Sequence, residues 1–111
     1  MDLSLLVAND TADCTIVDPY TGKDTDIVIT AYGPYSKEYA AAFLAESKRK
    51  DSDTLDLLAD LTFGWVNVEL DGKALPFNRA NAMKAYGMDN SIVRQQMEAF
   101  ILNQKNFLPE R

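Results

Sequence analysis

The chain has 111 residues, a net charge of −6, one cysteine and no histidine. One core and one domain are expected at this length, and no apolar run reaches the 18 or more residues of a membrane helix. A lone Cys14 forms no internal disulfide, and the missing histidine excludes Ser-His and Cys-His nucleophile pairs and leaves no ordinary zinc ligand set.

The charge is unevenly spread. Residues 1 to 31 carry six aspartates (Asp2, Asp10, Asp13, Asp18, Asp24, Asp26) against one lysine, Lys23, a balance of −5, while the remaining residues hold eleven acids against ten bases. Such a surface repels phosphate backbones, and no basic stripe compensates, so direct nucleic-acid binding is not expected. The first residues, MDLSLLVAND, lack the positive n-region of a secretory signal and the arginines of a transit peptide, which points to a soluble protein that stays where it is made.

In chain order, the apolar "LSLLV" fits a strand or a first helical turn equally well. The stretch "CTIVDPYTGKDTDIVITAYG" predicts a β-hairpin with strands at Cys14 to Val17 and Asp26 to Tyr32, joined through Pro19, Thr21 and Gly22. In its second strand Ile27 and Ile29 share one face, and something downstream must cover it. Ser36 is an N-cap candidate for a helix from Lys37 to about Lys50, with Glu38 in the first turn, basic residues in the last, and Tyr39 and Phe43 on a face rich in alanine suited to covering the hairpin. A second helix is expected from about Asp53, with Leu57, Leu58 and Leu61 on one side, ending by Gly64.

Val66, Val68 and Leu70 alternate with Asn67, Glu69 and Asp71, which predicts a half-buried strand leading into an Asp71-Gly72 turn. Asn78 is an N-cap candidate for a helix from Arg79 to Tyr86, stopped by Gly87, and a last helix is expected from about Ser91 to Asn106. Val93, Met97, Phe100, Gln104 and Phe107 fall on one side of it, either as core or as a docking face. The fold class is therefore α+β: an N-terminal hairpin or small antiparallel sheet packed by helices, with a mostly helical C-terminal half.

Sharper chemical readings are weak. Counted from Asp51, the sixth and twelfth positions of a calcium loop hold Asp56 and Thr62 rather than Gly and Glu, so Asp51, Asp53 and Asp56 read as residues that cap and charge a helix start. Cys14, with no base nearby, reads as a buried inert thiol. Trp65 and Phe77, with Asn67 and Asn78, form a conceivable apolar ligand pocket, but a lone tryptophan there reads more naturally as a core plug. No pair of carboxylates is singled out by spacing, and no cofactor or enzymatic activity is expected.

Taken in order, Gly64-Trp65, "DGKALPF" (71 to 77) and the closing "QKNFL" resemble the tail assembly chaperones of long-tailed bacteriophages of the siphophage type. In that family a Gly-Trp dipeptide follows a helix, a DGKPLPF-like step opens the next, and the last helix ends in an Asn-Phe motif; here Ala74 replaces the first proline. The hairpin and "SKEYAAAF" resemble the family's N-terminal half, so the likeness covers most of the chain. It implies a non-enzymatic protein of the host bacterial cytoplasm, absent from the finished virion. Its implied partner is the largely helical tape measure protein, which it keeps soluble until tail tube subunits displace it during polymerisation. Contact with the tail tube protein and self-association are further implications, as is a longer frameshifted form for which an end at Arg111 would suit the short one. On this reading Met97, Phe100, Gln104 and Phe107 contact the partner, and Trp65, Asp71, Gly72, Pro76 and Phe77 form a structural joint that sets the angle of the C-terminal helices. A different class remains open: a small acidic phage inhibitor or DNA mimic acting on a host enzyme through its aspartates.

Overall fold

A computed structural model describes residues 1–51 and 53–110; Arg111 lies outside them. The class is α+β, with an antiparallel sheet in the order β1-β2-β3 and helices packed on one of its faces. Strands β1 (Thr11–Val17) and β2 (Asp24–Tyr32) form the expected hairpin, longer at both strand starts, with Cys14 opposite Ile29 and a register shift between Thr15 and Val17. Its turn closes through Gly22 in the left-handed region (φ 72), whose N–H donates to Asp18 O at 2.8 Å.

Cys14, Ile16, Ile29 and Ala31 are buried on the inner face, as the alternation requires. Burial pushes the Cys14 thiol above its ordinary pKa, which disfavours the thiolate. Helix α1 (Lys37–Ser47), capped by Ser36 Oγ accepting from Tyr39 N–H, contributes only Ala42 to the buried core. It ends before the expected Lys50, because Arg49 leaves the helix direction and donates to both Glu46 (2.6 Å) and Asp60 (2.7 Å). Asp60 also accepts from Arg79 at 2.9 Å, so one carboxylate ties three helical segments; partial burial raises its pKa, and the two guanidiniums more than offset this, holding it below its ordinary value.

The largest departure from the sequence reading lies between 54 and 74. Helix α2 (Thr54–Asp60) ends at Leu61, and the chain passes directly into a third strand, β3 (Thr62–Val66), paired with β2; Gly64 sits inside this strand rather than beyond a helix. Thr, Phe, Trp and Val suit an extended strand, and β2 offered an open edge. The expected strand from Val66 to Leu70 is broken at Asn67, which adopts φ 63 and donates from its side chain to Asp26 O at 2.9 Å. Beyond this break the chain forms a two-stranded hairpin, β4 (Glu69–Leu70) and β5 (Lys73–Ala74), around the Asp71-Gly72 turn with φ 52 and 79, both positive as a type I′ turn demands.

Helix α3 (Arg79–Tyr86) starts at its Asn78 cap as expected. Its Tyr86 is fully buried, with the hydroxyl 2.7 Å from Thr62 Oγ1, which in turn donates to Leu58 O. Burial pushes the Tyr86 pKa up to about 12 from 10, against the opposing effect of the Thr62 hydrogen bond. An unfolded chain therefore sheds this proton first. Stability should fall between those two pH values, by up to about 1.4 kcal/mol per pH unit from this group. Tyr86→Phe should remove that part of the alkaline slope in urea titrations; an unchanged slope would show that other groups produce it.

Helix α4 (Ile92–Leu102) lies beside β1. The Gln96 amide accepts from Val17 N–H (2.8 Å) and donates to Val17 O (2.7 Å), so it occupies the sheet edge at the β1 bulge in the way a neighbouring strand would. Gln96→Leu leaves both groups without their partner and is expected to cost about 1–3 kcal/mol in denaturant melts. The helix stops at Leu102, not at the expected Asn106. Asn103 leaves the helical region (ψ 97), and a 3-10 turn over Gln104–Phe107 folds Phe107 back into the core.

Candidate functional site

The four residues expected to meet a partner do not form one face. Met97 and Phe107 are each 0 % exposed, Phe100 is half-buried with its ring edge-on to Phe107 at 5.7 Å, and only Gln104 stands at the surface, where its Oε1 accepts from Tyr35 OH at 3.3 Å. The break at Asn103 is the cause: it takes Gln104 and Phe107 off the helical register in which they share a side with Met97 and Phe100. Met97 and Phe107 are therefore core residues, corrected from contact residues.

The residues of the joint are assembled more closely. Trp65, on β3 opposite Ile29, donates from Nε1 to Leu75 O at 2.8 Å and meets Phe77 edge-on at 5.1 Å. Pro76 O accepts from the Asn81 side chain at 2.7 Å, so the segment between β5 and α3 is held at the sheet and at the helix. Asp71 and Gly72 turn the β4-β5 hairpin instead. The ligand-pocket alternative for Trp65 and Phe77 loses its polar groups, since Asn67 is bound to Asp26 and Asn78 caps α3. Within the acidic run Asp53 caps α2, while Asp56 and Asp60 pair with Arg79.

The outward side of α4 contributes to a different surface. Tyr39 and Phe43 of α1, Leu57 and Leu58 of α2 with its C-cap Leu61, and Ile101 and Leu102 of α4 line an open apolar groove of about 170 Å³. Leu102 is 80 % exposed and Phe43 43 % exposed, and Leu44, also exposed, follows Phe43 on α1. The rings of Tyr39 and Phe43 lie 4.7 Å apart and form one wall. Thr54 and Glu98 are its polar lining residues, and both are engaged by Arg94, which donates from Nε to Glu98 at 2.8 Å and from Nη2 to Thr54 at 2.7 Å. A groove of this kind, lined mainly by apolar side chains, suits an apolar ridge from a helix.

A second apolar surface gathers where the two ends of the chain meet. Leu6, Val7, Tyr35 and Leu108 surround a cleft there, held together by Asn9 N–H donating to Phe107 O at 2.8 Å. The N-terminal "LSLLV" is neither strand nor α-helix but carries a 3-10 turn, Leu3–Leu5, with no buried residue. Sequence reasoning passed over both surfaces. The one signal available was the excess of large apolar residues, in "LSLLV" and at Phe43, Leu44 and Leu102, over what one small core can bury.

Among the described residues no helix is long and apolar enough to cross a membrane. Comparisons with known protein families, with characterised proteins and with solved structures find no match to this chain.

Proposed function

We propose that this chain is a tail assembly chaperone of a long-tailed bacteriophage, which binds the helical tape measure protein, keeps it soluble and is displaced as the tail tube polymerises. Two independent supports meet here: the ordered likeness of Gly64-Trp65, the 71 to 77 step and the Asn106-Phe107 ending to that family, and a groove between three helices suited to an apolar helix. The observation that carries the reading is the groove. Its floor is core and its rim, Phe43 and Leu102, is exposed, so the rim side chains are available to a partner without unfolding. No catalytic group is required by this role, and the acidic surface would keep a complex with a long apolar partner from aggregating.

The test is co-expression with the long, largely helical reading frame encoded nearby in the source genome, followed by affinity capture of this chain. Recovery of the long protein in solution only in the pair is expected. Phe43→Asp combined with Leu102→Asp should lower that recovery by tenfold or more, because a charge at each rim must be desolvated on docking, while the melting midpoint stays within a few degrees. If the long protein remains insoluble and a host nuclease or polymerase is captured, the acidic-inhibitor reading replaces this one. Neutralising Asp10, Asp13, Asp18 and Asp24 together should then abolish capture, whereas a chaperone working through apolar contacts would tolerate it.

A further inference from the structure

We infer that the free edge of β3 is a self-association surface, on which a second copy of this chain adds its own β3 antiparallel across a two-fold axis. The two edges of the sheet differ. On β1 the Gln96 amide takes both backbone groups of Val17, and α4 and the C-terminal turn pack alongside. On β3 the pairing runs Val28 to Val66, Ile29 to Trp65 and Thr30 to Gly64, and Tyr32 N–H donates to Leu61 O at 2.8 Å. With the one-residue shift that separates these pairs, alternation turns the N–H and C=O of Trp65 away from β2, toward the open edge. Edge strands that stay single usually carry a charge or a proline; Thr-Phe-Gly-Trp-Val has neither.

Shape favours a second copy as the occupant, and the strand itself carries no charge to oppose it. With the two strands centred on Trp65, Gly64 lies opposite the partner's Val66, on the same face. A Cβ at Gly64 would meet nothing within 4 Å, and Val66 is 55 % exposed, so an open space faces a projecting side chain twice over in the symmetric pair. Phe63, 58 % exposed, extends the uncharged strip. The acids Asp10 and Asp13 lie on or beside β1 at the far side of the sheet, and in the joined sheet the two β1 strands stand five strand spacings apart, about 24 Å. That exceeds the screening length of about 8 Å at physiological salt, so these two acids do not oppose pairing at this edge. The inference does not rest on the tape measure reading, since β3 lines no part of the three-helix groove.

Sedimentation equilibrium of the full chain over a concentration series tests it, with Val66→Lys as the disrupting variant and Tyr20→Lys, at the exposed tip of the first hairpin, as the control. A dimer with a dissociation constant of about 1–100 µM is expected, weakened at least about tenfold by Val66→Lys and unchanged by Tyr20→Lys. Amide exchange on the unaltered protein reads the edge directly, and the Trp65 N–H should exchange more slowly as concentration rises. A wild-type chain that stays monomeric to about 1 mM overturns the inference. So does a dimer whose Trp65 amide exchanges equally fast at every concentration.

Discussion

Phe107→Ala should lower the stability of this protein by about 3–5 kcal/mol, read as a shift in the urea midpoint at constant slope. The residue is fully buried, its ring is held edge-on by Phe100, and its position depends on the 3-10 turn after Asn103. Asn106, just before it, donates from its side chain to Phe100 O at 2.9 Å, and Phe107 O accepts from Asn9, so the surrounding backbone is pinned and closes little of the space left by the ring. Total stabilities of domains this size are about 5–15 kcal/mol, so this one side chain decides much of the fold. Phe107→Leu keeps most of the volume and should cost under about 1.5 kcal/mol. A loss below about 1 kcal/mol for the alanine variant would mean that the C-terminal turn is dispensable to the core and would make Phe107 a candidate contact residue again.

Gly33→Ala should destabilise by about 1–3 kcal/mol or more, because a Cβ there would stand 2.3 Å from Cδ1 and 2.5 Å from Cγ of Phe107. The atoms met belong to the body of a buried ring, not to the end of a flexible chain, so relief requires the ring or the backbone to move. Gly33 does not adopt the left-handed conformation of Gly22 and Gly72, so the cost is steric and not conformational. The effect therefore depends on the ring. In a Phe107→Ala background, Gly33→Ala should be close to neutral or slightly stabilising, giving a coupling of about 1–3 kcal/mol in the double-mutant cycle. Additive losses would place the cost of Gly33→Ala somewhere other than at Phe107. The pair also explains how the two ends of the fold meet: Gly33, whose N–H donates to Asp10 O, is the point where the chain leaving β2 allows the C-terminal ring beneath it.

Much of the local structure could be read from the chain because it is set by neighbours in sequence. Ser36 and Asn78 cap the helices they were expected to cap, Asp71-Gly72 makes the expected tight turn, and the Ile and Val pattern of the first hairpin places its buried face correctly. These features are governed by side chain to backbone hydrogen bonds within four residues, by left-handed φ at a turn, and by period-two alternation. The α+β class is a consequence of them.

Tertiary structure alone decided the rest. Thr62 to Val66 comes after a helix whose leucines could have extended it, and it became a strand because β2, more than thirty residues earlier, had backbone groups to pair with it. The apolar stripe of the last segment continues at helical spacing through Phe107, yet the helix ends at Leu102, because burying Phe107 beneath Gly33 outweighs one more helical turn of exposed backbone. That break takes Phe107 into the core and parts it from Gln104 at the surface, while the exposed groove forms from Phe43, Leu57 and Leu102, residues on three different helices. Local propensity determined the caps, turns and alternation. Which apolar residues remain at the surface depends on the long-range competition for one small core.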